Sequence, residues 1–189
     1  MTVVYLVRHA ESAPTPALPE AGWPLSPAGE AQAVALVAAL LPLGITRVYS
    51  SPYLRARQTV QPFATAAGLP LGTADGLRER KLTEGMVDGW AEHLRQSWRD
   101  FDYRLPGGES LRECQARTVR TLRELAARHP HATIAACSHG NAIATALHAA
   151  DPSAGLDDWR SLRTPDVLRL EVTPGRLFWD RSFRFSLPA

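Results

Sequence analysis

The chain is nearly devoid of lysine. Lys81 is the only one in 189 residues, and the other 20 basic residues are arginine. With 19 acidic residues the net charge is +2, too small a surplus to mark a nucleic-acid binder. Cysteine is scarce too: Cys114 and Cys137 lack metal-ligand or redox-motif spacing and read as buried thiols, one in a helix and one in a strand. No apolar run approaches the ~20 residues that cross a bilayer. The apolar run near the start has no basic flank before it and ends in Arg-His, unlike a signal peptide. A cytoplasmic protein without membrane contact is therefore expected. Repeats, low-complexity tracts and linkers are absent, so residues 1–189 are expected to form one domain around one core. Arginine's planar fork suits bidentate phosphate recognition, although most of these arginines reflect a composition also rich in alanine and proline.

The apolar run Val3-Val4-Tyr5-Leu6-Val7 reads as a buried strand that stops at Arg8-His9. Residues 13–24 carry Pro14, Pro16, Pro19 and Pro24 and read as a loop. Ser26 is a helix cap with Pro27 at the first helical position, and the helix runs to about Leu41. Ile45 to Ser50 is a second strand. Ser50-Ser51-Pro52 opens a helix that continues to about Ala67, with Gly68 as its stop. A short strand over Leu69 to Gly72 precedes an irregular, charged stretch from Leu77 to Gly89. Trp90 to Phe101 is helical, and Ser110 with Glu113 forms a capping box for a helix from Leu111 to about Arg128. Ala132 to Cys137 is a third strand, followed by Ser138-His139-Gly140 and a helix to Ala149. Pro174-Gly175 joins two final runs into an antiparallel hairpin. Strands alternating with helices imply a mostly parallel sheet covered on both faces. Sites in such sheets collect at the carboxyl ends of strands. Three of those ends carry Arg8-His9, Ser50-Ser51 with Arg55 one turn later, and Ser138-His139.

Arg8, His9, Arg55, Glu79 and His139 together match the needs of phosphoryl transfer, which rests on positioning and charge neutralisation. Two arginines offer forked donors to phosphate oxygens. His139, if protonated, adds another donor. His9 would attack phosphorus through one neutral ring nitrogen, the other being held by a backbone carbonyl. A carboxyl group must protonate the leaving oxygen and later activate water; Glu79 is the candidate, with Glu84 as fallback. Glu109 reads as a helix-start residue or a pocket residue. Trp23 and Trp90 are packing residues or pocket walls, and Arg80 and Lys81 are either contacts for an anionic substrate or solvated charge. The remaining histidines, His93, His129, His131 and His148, lack metal-site spacing.

Leu6-Val7-Arg8-His9-Ala10-Glu11-Ser12 resembles the RHG signature of the histidine phosphatase (phosphoglycerate mutase-like) superfamily, with Ala10 in place of its usual glycine. Five further segments resemble that family's blocks in order: Leu25 to Ala33, Ser50 to Thr59, Leu77-Arg78-Glu79, Pro106 to Ser110, and Ser138-His139-Gly140. The resemblance implies a three-layer α/β/α sandwich with a mostly parallel central sheet and a C-terminal antiparallel hairpin. It implies His9 as the phosphate-accepting nucleophile, Arg8, Arg55 and His139 as the phosphate pocket and Glu79 as the proton donor. Ser12, Gly140 and Asn141 are expected as further substrate contacts, and neither a cofactor nor a metal is implied. The family's mutases carry a Trp-Asn pair after the first motif, where this chain has Ala13-Pro14-Thr15-Pro16. The Gly-x-Trp/Leu-x-Gly segment of its phosphatases is only loosely matched by Gly85-Met86-Val87-Asp88-Gly89-Trp90.

The leading expectation is a phosphomonoesterase acting on a small phosphorylated metabolite through a phosphohistidine. The alternatives are mutase-type phosphoryl transfer and a catalytically weak phosphate-binding regulatory module. The outer strand of the hairpin offers an edge through which a homodimer can form.

Overall fold

The computed structural model describes residues 1–84 and 87–187. Six strands form one sheet: β1 (Thr2–Arg8), β2 (Arg47–Ser50), β3 (Leu71–Thr73), β4 (Thr133–Ser138), β5 (Asp166–Val172) and β6 (Leu177–Trp179). Their spatial order is β3-β2-β4-β1-β5-β6. The pairs β1–β4, β2–β4 and β2–β3 are parallel, while β1–β5 and β5–β6 are antiparallel. The mostly parallel sheet and the final hairpin expected from the sequence are both present.

Side-chain alternation along a strand sends successive residues to opposite faces. Val4 and Leu6 of β1 join Ile134 and Ala136 of β4 in one core, packed against α4 (Leu111–Arg128) and α5 (Gly140–Ala150) through Leu122, Leu125, Ile143 and Leu147. Tyr5 and Val7 join Ala135 and Cys137 in a second core, with Leu36 and Leu40 of α1 (Pro27–Leu40) and Val60 and Phe63 of α2 (Leu54–Ala66). The sheet is therefore apolar on both faces, and three layers follow. Cys114 and Cys137 are free and buried. Burial pushes the Cys114 thiol up to about 12 and raises Cys137 as well, so both stay protonated.

Local signals account for most helix ends. The Ser26 hydroxyl accepts the Gly29 amide at 3.0 Å, and Ser110 and Glu113 exchange side-chain-to-backbone bonds of 3.1 and 2.8 Å. Two findings differ from the sequence expectation. Helix α2 starts at Leu54 rather than Ser50, because the Ser51 hydroxyl accepts the Tyr53 amide (3.2 Å) in an extended turn first. Between β4 and β5 there is also a six-residue helix, α6 (Leu156–Ser161), closed at its start by Asp158 accepting the Gly155 amide. The short helix α3 (Trp90–Arg99) completes the described helices.

The loop after β1 is held by side chains from α1 and α2. The Gln32 carbonyl accepts the Glu11 amide, Gln58 accepts the Leu25 amide and Thr59 accepts the Ala10 amide, all at 2.9 Å. Gly29 stands against the same loop: a Cβ there would lie 1.9 Å from the Glu11 carbonyl oxygen. Gly29→Ala must push backbone from backbone, and we expect it to cost about 1–3 kcal/mol. Urea unfolding of the variant measures this; an unchanged midpoint would show that the loop yields without cost.

Candidate active site

Register brings the expected site residues together. Arg8 lies opposite Ser138 in the β1–β4 pairing and Ser50 lies opposite Cys137 in the β2–β4 pairing, so three strands end side by side. The His9 amide then donates to the Ser138 carbonyl (3.1 Å) and the Ser51 amide to the Cys137 carbonyl (2.9 Å), extending the ladder past the strand ends. His9 and His139 follow directly, with ring centroids 5.1 Å apart.

His9 Nδ1 lies 2.7 Å from the Ala10 carbonyl oxygen, which holds the proton on Nδ1 and leaves Nε2 as the acceptor. Arg55 Nε donates toward that Nε2 at 3.3 Å. Burial, and then the charges of Arg55 and Arg8, push the His9 pKa down to about 3. His139 is fully buried, and the same causes hold it well below the usual histidine range. Desolvation and the neighbouring guanidinium groups favour the neutral ring, so in this structure His139 does not meet the condition on which it would donate as a cation. Its Nε2 is paired with the Ser51 hydroxyl at 2.8 Å. Its Nδ1, like Arg8 Nε, is buried without a partner among the described residues.

Arg55 is 3 % exposed. Its Nη1 donates to the Glu20 carbonyl and its Nη2 to the Glu20 carboxylate, each at 2.8 Å. The pairing was not foreseen, because Glu20 lies in the proline-rich loop with no periodic pattern around it. Burial raises the Glu20 pKa, Arg55 opposes that shift and nearby Glu79 adds to it. Arg8 donates through Nη1 to the Leu162 carbonyl (2.6 Å), and burial lowers its pKa.

Glu79 is half-buried. One carboxylate oxygen accepts the Arg80 amide (2.8 Å) and the other faces the Asn141 amide (3.4 Å) in the first turn of α5. Its segment is clamped from below by Arg117 of α4, which donates to the carbonyls of Gly76, Arg78 and Glu79 at 2.9, 2.8 and 3.1 Å. Arg117 is itself held by a two-pronged pair with Glu109 at 2.6 and 2.7 Å. Glu109 thus serves the clamp and lies outside the cavity beside Glu79. Arg80 is buried and spends its three nitrogens on the Glu109 carbonyl, the Ser97 hydroxyl and the Tyr103 carbonyl. It is not solvated charge but part of the internal scaffold, and it borders the cavity. Lys81 is exposed and pairs with Glu84, whose side chain is 77 % exposed and stands outside the cavity.

A cavity of about 490 Å³ opens in front of Arg8, Glu20, Glu79, Gly140 and Asn141. Trp23, Trp90 and Trp159 supply aromatic wall. A Cβ on Gly140 would approach Trp159 Nε1 to 3.1 Å, so the glycine makes room for this indole. His9, Arg55 and His139 do not line the cavity; Arg55 reaches it through Glu20. Ser12 pairs in a single bridge with Leu25 and is not part of the cavity wall. The loosely matched Gly-x-Trp/Leu-x-Gly segment includes Gly85 and Met86, which lie outside the described residues. Among the described residues no cluster of His, Cys, Asp and Glu is arranged to hold a metal ion, and no helix is long and apolar enough to cross a membrane.

A neutral buried imidazole flanked by two arginines, at the carboxyl edge of a parallel sheet, is the arrangement of enzymes that hydrolyse or transfer phosphoryl groups. The profile of the histidine phosphatase superfamily (branch 1) matches residues 4–181, and the chain belongs to that superfamily. It is 34 % identical over 134 residues to a probable phosphoglycerate mutase, GpmB, from Shigella dysenteriae, an overlap of 65 % of this chain and 62 % of the relative. The chain thus spans less than two thirds of that relative's length. Among solved structures it resembles a mycobacterial glucosyl-3-phosphoglycerate phosphatase bound to inorganic phosphate (24 % identity, 94 % of each chain, TM-score 0.74). It also resembles a phosphoserine phosphatase from Entamoeba histolytica (19 % identity, 95 % of each chain, TM-score 0.77). At these identities the two likenesses show the shared fold.

The depressed histidines link stability to pH. An unfolded histidine titrates near 6.5, whereas folded His9 stays neutral to about pH 3. As pH falls below 6.5 the unfolded chain gains protons that the folded chain refuses, so stability present above that pH is lost toward pH 3. Each such histidine contributes at most about 1.4 kcal/mol per pH unit. We expect His9→Asn to lose stability less steeply than wild type between pH 6 and pH 4, measured by urea unfolding. Equal slopes would show that folded His9 titrates normally.

Proposed function

We propose that the protein is a phosphomonoesterase that hydrolyses a small phosphorylated metabolite through a phosphohistidine on His9. The observation that carries this reading is the state of His9: Nδ1 fixed by the Ala10 carbonyl, Nε2 free of a proton, and a pKa of about 3 that preserves the nucleophile across the physiological range. Nε2 attacks phosphorus, the bond from phosphorus to the leaving oxygen breaks, and Glu79 gives that oxygen its proton. Glu79 then takes a proton from water, whose oxygen attacks phosphorus. The phosphorus–nitrogen bond breaks and inorganic phosphate leaves.

Arg8 and Arg55 balance the phosphate charge, and the unpartnered donor Arg8 Nε is available to one oxygen. Ser51 Oγ accepts the Tyr53 amide, which frees its hydroxyl proton for His139 Nε2 and leaves the His139 proton on Nδ1, a second unpartnered donor. Gly140 and Asn141 supply the start of α5 beside the cavity. Ser12 keeps at most an indirect part, through the loop it braces. Residues 1–189 act in this reading as one catalytic domain in the cytoplasm, with a small metabolite rather than nucleic acid or membrane as partner, and without a cofactor. Hydrolysis is favoured over mutase chemistry because Ala13-Pro14-Thr15-Pro16 stands where the family's mutases hold their Trp-Asn pair.

The test is release of phosphate from p-nitrophenyl phosphate and from alkyl phosphates, with EDTA present. We expect His9→Ala to lower kcat by about 10³-fold or more. Glu79→Gln should lower it by about 10²-fold or more for alkyl phosphates and far less for p-nitrophenyl phosphate, whose leaving group needs little protonation. Wild-type rates in His9→Ala would remove the nucleophile from the mechanism, and an equal loss on both substrates would remove Glu79 as the acid.

A further inference from the structure

The cavity that would receive the leaving group has an unusual wall. The two carboxylates of Glu20 and Glu79 face it, together with the three indoles of Trp23, Trp90 and Trp159. The two arginines in the wall are already committed. Arg80 donates from all three of its nitrogens to interior acceptors, and Arg8 belongs to the phosphate. Trp23 spends its N–H on the Thr15 and Leu18 carbonyls at 2.9 and 3.1 Å, and Trp90 packs on Trp159 with centroids 5.6 Å apart, while the buried Trp159 Nε1 has no partner among the described residues. Aromatic faces beside carboxylates attract cations, quaternary ammonium groups included.

Charge balance points the same way. Glu20 is now compensated by Arg55, at 2.8 Å. A phosphate dianion beside Arg55 draws on the same positive charge, which Arg55 already directs to Glu20 through both terminal nitrogens and to His9 through Nε. The occupied site then carries surplus negative charge on the leaving-group side. An anionic leaving group increases the surplus, and a cationic one offsets it.

Resting on the phosphatase reading above, we infer that this site selects phosphomonoesters whose leaving group carries an alkylammonium charge, and that Glu20 is the residue that sets the preference. Glu79 serves proton transfer, whereas Glu20 reads the charge of the leaving group. The proline-rich loop that carries Glu20 replaces the stretch in which the family's mutases hold their Trp-Asn pair, so substrate choice is placed on the segment where this chain departs from the family.

The comparison uses a charged substrate and its carbon isostere: choline phosphate against 3,3-dimethylbutyl phosphate, which have the same shape and differ by one charge. p-Nitrophenyl phosphate serves as the control for the chemistry. We expect wild-type kcat/KM to favour choline phosphate over the isostere on the order of tenfold at low salt, and the ratio to shrink as salt rises. In Glu20→Gln the ratio should fall toward one, whatever the change in absolute rates, and the relative rate on 3-phosphoglycerate should rise. Hydrolysis of p-nitrophenyl phosphate with a wild-type ratio of one or less overturns this inference and leaves the phosphatase reading standing. An undiminished ratio in Glu20→Gln removes Glu20 from the selection. Absence of hydrolysis on all three substrates overturns the phosphatase reading and this inference with it.

Discussion

The parallel pairing of β1 with β4 is the constraint on which the site depends. It sets Arg8 level with Ser138, and the next residue on each strand is a histidine. A one-residue slip would send Arg8 and His9 to opposite faces from those they occupy and would turn Val4 and Leu6 out of their core. Catalytic placement and core packing are therefore specified by the same register. The β2–β4 pairing adds Ser51, and through it the orientation of His139.

Around this edge the molecule concentrates buried guanidinium groups and keeps its imidazoles neutral. Arg8, Arg55, Arg80 and Arg117 are each tied to backbone carbonyls, and Arg55 and Arg117 also to carboxylates. A buried cation with those partners is tolerable, whereas an unpaired one is not. Arginine suits this better than lysine because one planar group satisfies several acceptors at fixed angles. The Arg117–Glu109 pair shows the division of labour. Neither side chain lines the cavity, yet Arg117 grips the carbonyls of Gly76, Arg78 and Glu79 in the segment that leads into it. Glu79 is thereby positioned through its own backbone carbonyl, which Arg117 holds at 3.1 Å.

Much of this was legible in the chain, and for identifiable reasons. The strands at Val3–Val7 and Ala132–Cys137 are apolar on both faces, a pattern that only a covered sheet explains. Ser26, Ser110 and Glu113 are local signals whose partners lie within three residues. Arg8, His9 and His139 follow directly from their strands, so topology alone brings them together. Glu20, Arg117 and Trp159 were not legible, since each acts on a partner far away in sequence and none sits in a periodic pattern that marks it. Arg80 was left open between substrate contact and solvated charge, because the acceptors that bury it, at Ser97, Tyr103 and Glu109, lie far away in sequence. The protonation state of His139 was left open in the sequence because residue type does not report full burial. Gln32, Gln58 and Thr59 belong to the quoted family blocks, but only the structure explains them: they are struts between helix and loop.

The scarcity of lysine has a practical side. Lys81 directly precedes Leu82 and Thr83, which line the cavity, and its side chain is exposed. No other lysine side chain exists in these 189 residues. An amine-directed fluorophore or surface linker that takes a lysine side chain will therefore attach beside the cavity rather than at random. With the α-amine blocked, this gives a single spectroscopic vantage point on ligand arrival without any change to the amino-acid sequence.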